Sequence, residues 1–311
     1  MEDPANTTKR KRDEAEKEKE EKQGGQGDVD NKKRKRGVVY SQTFTITFGD
    51  QAENHAGMQI LGQKASEGFT LEDLEKAKAW FEAQGVTVEL HHLNDALPAR
   101  LEAETTTTTT KKKKKQQQQQ EAEDAYVLVA RKGLKALMGD ADAFHKEQAG
   151  LQKDSKAKMY GRVVEKRARH NLCFAASAQT PDYDSGKGTV VAFDQVPLLK
   201  KTLDALVDLL GDKASGLVAE GNYYFDPSKC GIGFHGDAER CKVVAVRTGV
   251  VLPLHYQWFL DSKPVGQRVK LLLEHGDVYV MSEKAVGTDW KRRQVYTLRH
   301  AAGAKKFLTI K

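Results

Sequence analysis

The chain has 311 residues, of which 39% are hydrophobic and 31% charged, and its formal net charge is +7. This length fits one large domain or two small ones, and no apolar run is long enough to predict a membrane-spanning helix or a secretory signal peptide. Three cysteines without a Cys-x-x-Cys pair predict reduced thiols and disfavour a structural zinc site.

Residues 1–37 form a charged segment with few apolar side chains, so they are expected to be a disordered tail. Two basic clusters, at 9–12 and 32–36, flank an acidic stretch. This arrangement is typical of nuclear import signals, although it also fits a solubilising tail. It predicts a location in the nucleus, or in the nucleus and the cytoplasm. The excess charge lies here and in the Lys111–Lys115 run, so the rest of the chain is balanced.

The first ordered elements are predicted in residues 38–101. In Thr43–Phe48, threonine alternates with phenylalanine and isoleucine. Such a run of β-branched and aromatic residues favours a strand. A helix is expected to begin after Thr70 and to end near Gly85, and Val86–Leu90 favours a second strand. Together these elements predict an N-terminal α/β extension.

Residues 102–123 interrupt this pattern. They contain runs of a single residue type, which cannot build a specific core and therefore predict a low-complexity surface insertion. The runs are Thr105–Thr110, Lys111–Lys115 and Gln116–Gln120. The remaining residues, 124–311, are predicted to form the main domain, beginning with a strand at Tyr126–Val129.

The main domain is predicted to contain one long helix followed by short strands. Asp194 is a candidate N-cap, Pro197 suits the first turn, and Gly211 suits the end. This order favours an α+β fold whose C-terminal half is a jelly-roll-like double sheet. The predicted strands are Val243–Val246, Val250–Phe259, Val269–Leu273, Val278–Met281, Val295–Leu298 and Phe307–Ile310.

A His-x-Asp motif is the most informative feature of this half. His235 and Asp237 are separated by one residue and follow Gly231 and Gly233. On a strand, both side chains would point to the same face. Two histidines and one carboxylate on one face, with open positions opposite, suit non-haem Fe(II). The motif alone is weak, because such pairs also arise by chance.

The neighbouring motifs give the pair its meaning. They are Asn222-Tyr223-Tyr224, His235-Gly236-Asp237, the run from Leu271 to Met281 and the Arg/Lys-rich end. With these motifs, residues 215–311 resemble the AlkB-like group of Fe(II)/2-oxoglutarate dioxygenases. The resemblance implies a double-stranded β-helix core with N-terminal helices and strands packed on it. It also implies that His235 and Asp237 are the first two iron ligands.

The third ligand implied by the resemblance is His300. AlkB-like chains carry a histidine near the position of Trp290-Lys291, where this chain has none, and His300 is the next candidate. His255 and His275 are interpreted as structural or surface residues.

The resemblance also implies residues that bind 2-oxoglutarate. Asn222 and Tyr224 match family residues that hydrogen-bond this cosubstrate, and Lys305 or Lys306 would hold its distal carboxylate from the last core strand. Three other cations remain open for that role. A rival register, with Leu298-Arg299 on the last strand, uses two of them and leaves no third metal ligand. These alternatives are Arg293, Arg299 and Lys311.

The candidate substrate side is a basic segment interrupted by Tyr160 and followed by His170 and Phe174. Its cations suit phosphates and its aromatic side chains suit stacking with a base, although a solvated charged face explains the same pattern. Its charged members are Lys156, Lys158, Arg162, Lys166, Arg167 and Arg169.

The leading hypothesis is therefore an Fe(II)/2-oxoglutarate oxygenase that demethylates alkylated nucleobases in DNA or RNA. Fe(II) and 2-oxoglutarate are the expected cofactor and cosubstrate, and the expected partner is nucleic acid, either single-stranded or with a flipped-out base. The chain is expected to be a monomer that does not contact membranes. Two alternatives are a hydroxylase of protein side chains and a non-catalytic nucleic-acid-binding relative.

Overall fold

The computed structural model describes residues 38–98 and 121–310. Two predicted segments lie outside the described residues. They are the tail, with the basic clusters interpreted as nuclear import signals, and residues 102–120 of the insertion. In the described part no helix is long and apolar enough to cross a membrane.

Short strands dominate the described residues. In chain order they are β1 (Thr43–Gly49), β2 (Gln51–Glu53), β3 (Ile60–Gly62), β4 (Val88–His92), β5 (Tyr126–Ala130), β6 (Lys156–Met159), β7 (Arg162–Glu165), β8 (His170–Ala175), β9 (Val190–Ala192), β10 (Val218–Tyr224), β11 (Gly231–His235), β12 (Val243–Gly249), β13 (Leu252–Leu260), β14 (Lys263–Leu273), β15 (Val278–Met281) and β16 (Thr297–Gly303). The α-helices are α1 (Leu71–Ala83), α2 (Leu134–Met138), α3 (Ala141–Gly150), α4 (Pro197–Leu210) and α5 (Glu283–Val286).

The strands form one large sheet, one smaller sheet and two hairpins. The large sheet has the order β4-β5-β15-β12-β1-β10-β8-β9 and is antiparallel except between β8 and β9. The smaller sheet has the antiparallel order β11-β16-β13-β14. The hairpins are β2-β3 and β6-β7. The fold is thus mixed α and β, with a large, mostly antiparallel sheet and few helices.

Two cores separate the layers. One core joins side chains of both sheets, among them Val243, Tyr279, Tyr256 and Trp258, so the sheets pack face to face. The other core lies between the large sheet and the helices, where α4 buries a leucine-rich face. The smaller sheet therefore has one face in the core and one face directed away from it.

The first strand, β1, lies inside the large sheet. It pairs with β10 on one side and β12 on the other, so that Thr45 is opposite both Asn222 and Arg247. Residues 38–101 were predicted to form an extension packed on the core. The part of them that forms β1 instead completes the principal sheet and is buried along its whole length.

The prediction for α1 is confirmed. Thr70 caps the helix, since its hydroxyl accepts from Asp73 N–H at 3.3 Å while the Asp73 carboxylate accepts from Thr70 N–H at 2.8 Å. Leu74, Ala77 and Phe81 are fully buried on one face. A capping box and a helical period are local signals, which explains why the sequence was sufficient here.

The helix predicted to follow Asp194 exists as α4, with Pro197 as its first residue, but its cap was predicted wrongly. Asp194 lies in a short 3-10 turn, and Val196 occupies the N-cap position without a side-chain hydrogen bond. The free N–H groups of Leu198 and Leu199 instead donate to the Glu147 carboxylate at 2.8 and 3.0 Å. A carboxylate distant in sequence replaces the local cap.

The strand predicted at Phe307–Ile310 is also wrong, because these residues form turns. Phe307 N–H donates to Ala304 at 2.9 Å and Leu308 N–H donates to Lys305 at 3.1 Å. The Phe307 ring packs against Gly231, where a Cβ would lie 2.5 Å from the ring. The apolar side chains of this segment therefore cover an end of the smaller sheet.

A cluster of aromatic and imidazole rings packs beside β1. The His145 ring stacks on Phe44 with centroids 4.4 Å apart, and Tyr40 stacks on His275 at 4.5 Å. Burial lowers the pKa of His145 to about 4 and also lowers the pKa of His275. Both imidazoles are therefore neutral in the folded protein at neutral pH.

The free energy of unfolding should fall as the pH drops from about 6.5 to about 4. Above this range His145 is neutral in both the folded and the unfolded state. Within it, His145 binds a proton in the unfolded chain but not in the folded chain. We expect a lower melting temperature at pH 5 than at pH 7. His145→Phe, which keeps the ring stacked on Phe44, should show a smaller decline, and an equal decline in both proteins would contradict this assignment.

Candidate metal centre

The H-G-D motif lies at the end of β11. His235 is the last residue of the strand, and its Nδ1 lies 2.8 Å from the Gly233 carbonyl oxygen. With Nδ1–H donating to that oxygen, Nε2 carries the lone pair and is free to bind a metal. Asp237 lies just beyond the strand rather than on it, held by its N–H bond to Val286 O at 3.0 Å.

Gly236 allows this close approach. A Cβ at this position would lie 2.1 Å from the carbonyl oxygen of Gly287, so any other residue would push the two segments apart. The glycine between His235 and Asp237 thus brings the motif against the loop that follows α5.

His300 on β16 completes the group. It is directly opposite His235 in the smaller sheet, with ring centroids 4.5 Å apart. The Asp237 Oδ1 atom lies 3.4 Å from His235 Nε2 and 3.6 Å from His300 Nε2. The potential ligand atoms of the three residues all lie within 4.8 Å of one another.

The donor set fits one metal ion. Ligands about 2.0–2.2 Å from an ion and at right angles to each other would be about 3 Å apart, so small side-chain movements suffice. Burial lowers the pKa of His300 well below its usual range, and the neutral ring keeps a lone pair for a metal. Two imidazoles and one carboxylate are the donors of the facial triad used by non-haem Fe(II).

The register of β16 decides between the two sequence interpretations. Leu298, Arg299 and His300 all lie on this last strand, so their side chains alternate between its faces. Arg299 is directed away from the triad, with its guanidinium 4.0 Å from the Phe259 ring centroid. His300 faces Asp237, as the first interpretation requires.

The triad lies in a cavity of about 740 Å³, which we call the central cavity. Asn222 and Tyr224 line it, as the resemblance implied. Lys305 and Lys306 do not. Both are exposed on the turn that replaces the predicted strand, which corrects their assignment to the same site.

Arg293 and two further histidines also lie outside the central cavity. Arg293 is exposed on the loop before β16. Lys311, another candidate for the carboxylate, is not among the described residues. His255 is on β13 beside Lys270, and His275 accepts a hydrogen bond from Gly249 N–H at 3.0 Å. Neither histidine is grouped with the triad.

Asn222 is held by an extensive side-chain network. Its Oδ1 accepts from Arg169 Nε and from Asn171 Nδ2, the latter at 2.9 Å, and its Nδ2 donates to Glu220 at 3.0 Å. These bonds fix the amide in one orientation at the cavity wall. A bound molecule would meet a rigid polar surface there.

Arg247 is the site residue that sequence reasoning missed. It lies on β12, is 1% exposed and lines the central cavity, yet its Nε and Nη1 have no hydrogen-bond partner. Arg240 Nη1 and His300 Nδ1 are also buried, unpartnered and part of the same wall. Three residues of one cavity wall with unsatisfied polar atoms point to a polar ligand, because buried polar atoms normally have partners.

Arg240 places a positive charge beside the Oδ2 atom of Asp237. Its guanidinium Nε lies 3.5 Å from Asp237 Oδ2, and its Nη2 lies 2.5 Å from Glu220 and 2.7 Å from Glu239. Arg240 is 4% exposed. It therefore holds the second oxygen of Asp237 and leaves Oδ1 directed at the histidines.

Replacing Arg240 with methionine should destabilise the fold strongly. The substitution leaves the carboxylates of Asp237, Glu220 and Glu239 without their cation, and breaking a buried ion pair in this way costs about 3–5 kcal/mol. Urea unfolding of the metal-free protein measures the cost. Arg240→Lys should recover part of it, and a loss below about 1 kcal/mol in the methionine variant would show that the network is not needed.

The wall of the central cavity carries mixed charge. Burial raises the pKa of Glu53 to about 7, and Glu53 accepts a hydrogen bond from Gly57 N–H at 2.7 Å. Arg169, Trp290 and Lys291 also line the cavity. The wall therefore offers both hydrogen-bonding and cationic groups to a substrate.

The basic segment forms the β6-β7 hairpin and the residues that follow it, of which Arg169 lines the central cavity. Tyr160 is 95% exposed at the tip of the hairpin and has a positive φ of 51°. The half-buried Lys166 holds the end of the hairpin in place, since its Nζ donates to Asn54 at 2.7 Å and to Asn171 at 3.1 Å. Lys166 is therefore a structural residue rather than a free cation.

Fold and site together define a mixed α and β protein with a grouped His-Asp-His centre in a cavity. A scan against models of known protein families gives no match. The chain is 47% identical over 267 residues to an uncharacterized protein of Acanthamoeba polyphaga mimivirus, a region that covers 86% of this chain and 98% of the viral protein. The chain belongs to the same family as this mimivirus protein.

Proposed function

We propose that this protein is an Fe(II)- and 2-oxoglutarate-dependent oxygenase of the AlkB-like kind. The observation that carries the proposal is the convergence of His235, Asp237 and His300 in a cavity that also contains the buried guanidinium of Arg247, whose Nε and Nη1 have no hydrogen-bond partner. A metal ligand set and a buried cation for a carboxylate are the two requirements of such an enzyme.

The order of strands supports a double-stranded β-helix. From β10 to β16 the chain crosses from one sheet to the other at every connection except the one between β13 and β14: β10, β12 and β15 are in the large sheet, and β11, β13, β14 and β16 are in the smaller one. An eighth strand is needed between β10 and β12, and β1 occupies that place. We propose that the closing strand, which follows the last histidine in AlkB-like chains, is supplied here by the N-terminal part.

The same rearrangement explains the position of the carboxylate-binding cation. With β1 as the closing strand, no arginine or lysine lies on that strand. Arg247 is opposite Thr45 on the adjacent β12 and presents its guanidinium to the same cavity. A guanidinium fork binds a carboxylate through two parallel hydrogen bonds, so Arg247 would hold the distal carboxylate of 2-oxoglutarate.

When bound to the triad, Fe(II) would couple the oxidative decarboxylation of 2-oxoglutarate by O2 to the hydroxylation of an alkyl carbon. His235, Asp237 and His300 would hold the ion and leave it accessible to the cosubstrate and O2. Asn222 and Tyr224 would orient the cosubstrate, and the buried walls would exclude water.

A methylated nucleobase in DNA or RNA is the proposed substrate. The basic hairpin β6-β7, and the Arg169 cation and Trp290 ring in the wall of the central cavity, support it, because cations bind phosphates and aromatic rings stack on bases. The chain would act in the nucleus if the basic clusters of residues 1–37 serve as import signals.

The test is succinate release from 2-oxoglutarate by the purified protein with Fe(II). We expect turnover that methylated single-stranded DNA or RNA stimulates more than protein extracts do. Stimulation by protein alone would favour a hydroxylase of protein side chains. The absence of turnover with every substrate would contradict the proposal.

A further inference from the structure

A second cavity lies on the face of the smaller sheet that is directed away from the core. Arg299 is adjacent to His300 on β16, and its side chain enters this second cavity, of about 670 Å³. We call it the basic groove. Its walls include Phe234, Phe259, Lys263, Arg299, Lys306 and Phe307.

Cations lie over the aromatic rings of the basic groove. The Arg299 guanidinium lies 4.0 Å from the Phe259 ring centroid. Arg268 does not line the groove itself, but its guanidinium lies 4.9 Å from the ring centroid of Phe234, which does. Lys306 lies over Phe307 at 5.0 Å. Rings hold these cations in fixed positions without neutralising them.

The cations of the groove lack carboxylate partners. Within residues 38–98 and 121–310, no ion pair within 4.0 Å involves Lys263, Arg268, Arg299 or Lys306. The Nε atoms of Arg268 and Arg299 are also buried without a hydrogen-bond partner. Partial burial of the Arg268 and Arg299 guanidinium groups without a counter-charge is costly, and an anion bound in the groove would offset that cost.

The groove and the central cavity adjoin each other at β11. Gly233 and Phe234, both on this strand, contribute to the walls of both. Trp290 belongs to the wall of the central cavity, and its ring lies 5.3 Å from the Arg299 guanidinium. A polymer bound at the central cavity would therefore have the groove as a neighbouring surface.

We propose that the basic groove binds the backbone of a single-stranded nucleic acid. Regularly placed phosphates match several unpaired cations in a row, and the partly exposed rings of Phe234 and Phe307 suit stacking with unpaired bases. A duplex keeps its bases stacked inside and cannot use these rings. The inference goes beyond the proposed oxygenase, because binding in the groove requires neither metal nor turnover.

Fluorescence anisotropy of the metal-free full chain with a labelled, unmodified single-stranded oligonucleotide tests the proposal. The variant carries Lys263→Glu and Lys306→Glu, both at exposed positions. We expect at least about tenfold weaker binding. The dependence of log K on log salt should become shallower by about 1.4, since each lost phosphate contact on a single strand accounts for about 0.7. A duplex of the same sequence should bind more weakly than the single strand.

The matched control carries Lys135→Glu and Lys146→Glu, which change the net charge equally on α2 and α3. It should bind like the unmodified protein, and any contribution from residues 1–37 is common to both variants. Equal losses in both variants would overturn the proposal. A double variant of the β6-β7 hairpin, Lys156→Glu and Arg162→Glu, provides a second comparison. Weaker oligonucleotide binding by this variant, together with unchanged binding by the groove variant, would also overturn the proposal. Turnover without groove binding, or binding without turnover, separates this inference from the proposed function.

Discussion

Replacing His300 with alanine should remove tight metal binding. Only His235 and Asp237 would remain, and two protein ligands neither hold Fe(II) firmly nor define its open positions. Loss of a residue that merely orients a ligand already costs about 10–100-fold in metal affinity, so we expect a loss of at least about 100-fold here. Isothermal titration of the metal-free variant with Fe(II) or Mn(II) under anaerobic conditions measures it.

His255→Ala is the matched control, because His255 lies on the neighbouring strand β13 but outside the central cavity. It should bind one metal ion per chain with unchanged affinity. His235→Ala should behave like His300→Ala. Unchanged binding in His300→Ala, in a variant that still unfolds cooperatively, would remove His300 from the centre and restore the non-catalytic interpretation.

Replacing Arg247 with methionine should separate cosubstrate binding from stability. Loss of one partner of a buried charge pair costs about 2–5 kcal/mol of binding, which corresponds to at least about 30-fold in the affinity for 2-oxoglutarate. The fold should not suffer. The guanidinium has unpartnered Nε and Nη1 atoms in the free protein, so its removal relieves a buried charge. Titration of the metal-loaded variant with 2-oxoglutarate and thermal unfolding measure both effects.

Arg247→Lys should bind 2-oxoglutarate with intermediate affinity, because an ammonium group keeps the charge but not the fork. The double variant Lys305→Met and Lys306→Met should retain full affinity, since both residues lie outside the central cavity. The opposite result would be weaker 2-oxoglutarate binding by the double variant and unchanged binding by Arg247→Met. It would place the carboxylate-binding cation on the C-terminal turn.

The sequence predicted what depends on short-range patterns. The capping box at Thr70, the helical period of α1 and the alternation in β1 are readable within a few residues, and each element lies where it was predicted. His235 and Asp237 are likewise neighbours in sequence. His300 was implied by the resemblance as the third ligand. Its side chain lies next to His235 and Asp237 because β16 pairs with β11 so that His300 is opposite His235.

The sequence misled where long-range contacts decide. Phe307–Ile310 has the composition of a strand, but the place beside β10 and β12 is already occupied by β1. The carboxylate-binding cation was therefore predicted near the end of the chain, at Lys305 or Lys306. Arg247 is recognisable in the sequence for a different reason, because it interrupts the otherwise uncharged, fully buried strand β12. Arginine is almost never fully buried without a partner.

A crystal structure of the protein grown anaerobically with Mn(II) and 2-oxoglutarate tests the central claim most directly. We expect one ion within about 2.0–2.2 Å of His235 Nε2, an Asp237 oxygen and His300 Nε2. We also expect the distal carboxylate of 2-oxoglutarate to accept two hydrogen bonds from Arg247. An ion bound without His300, or a dicarboxylate bound outside the central cavity, would contradict the account.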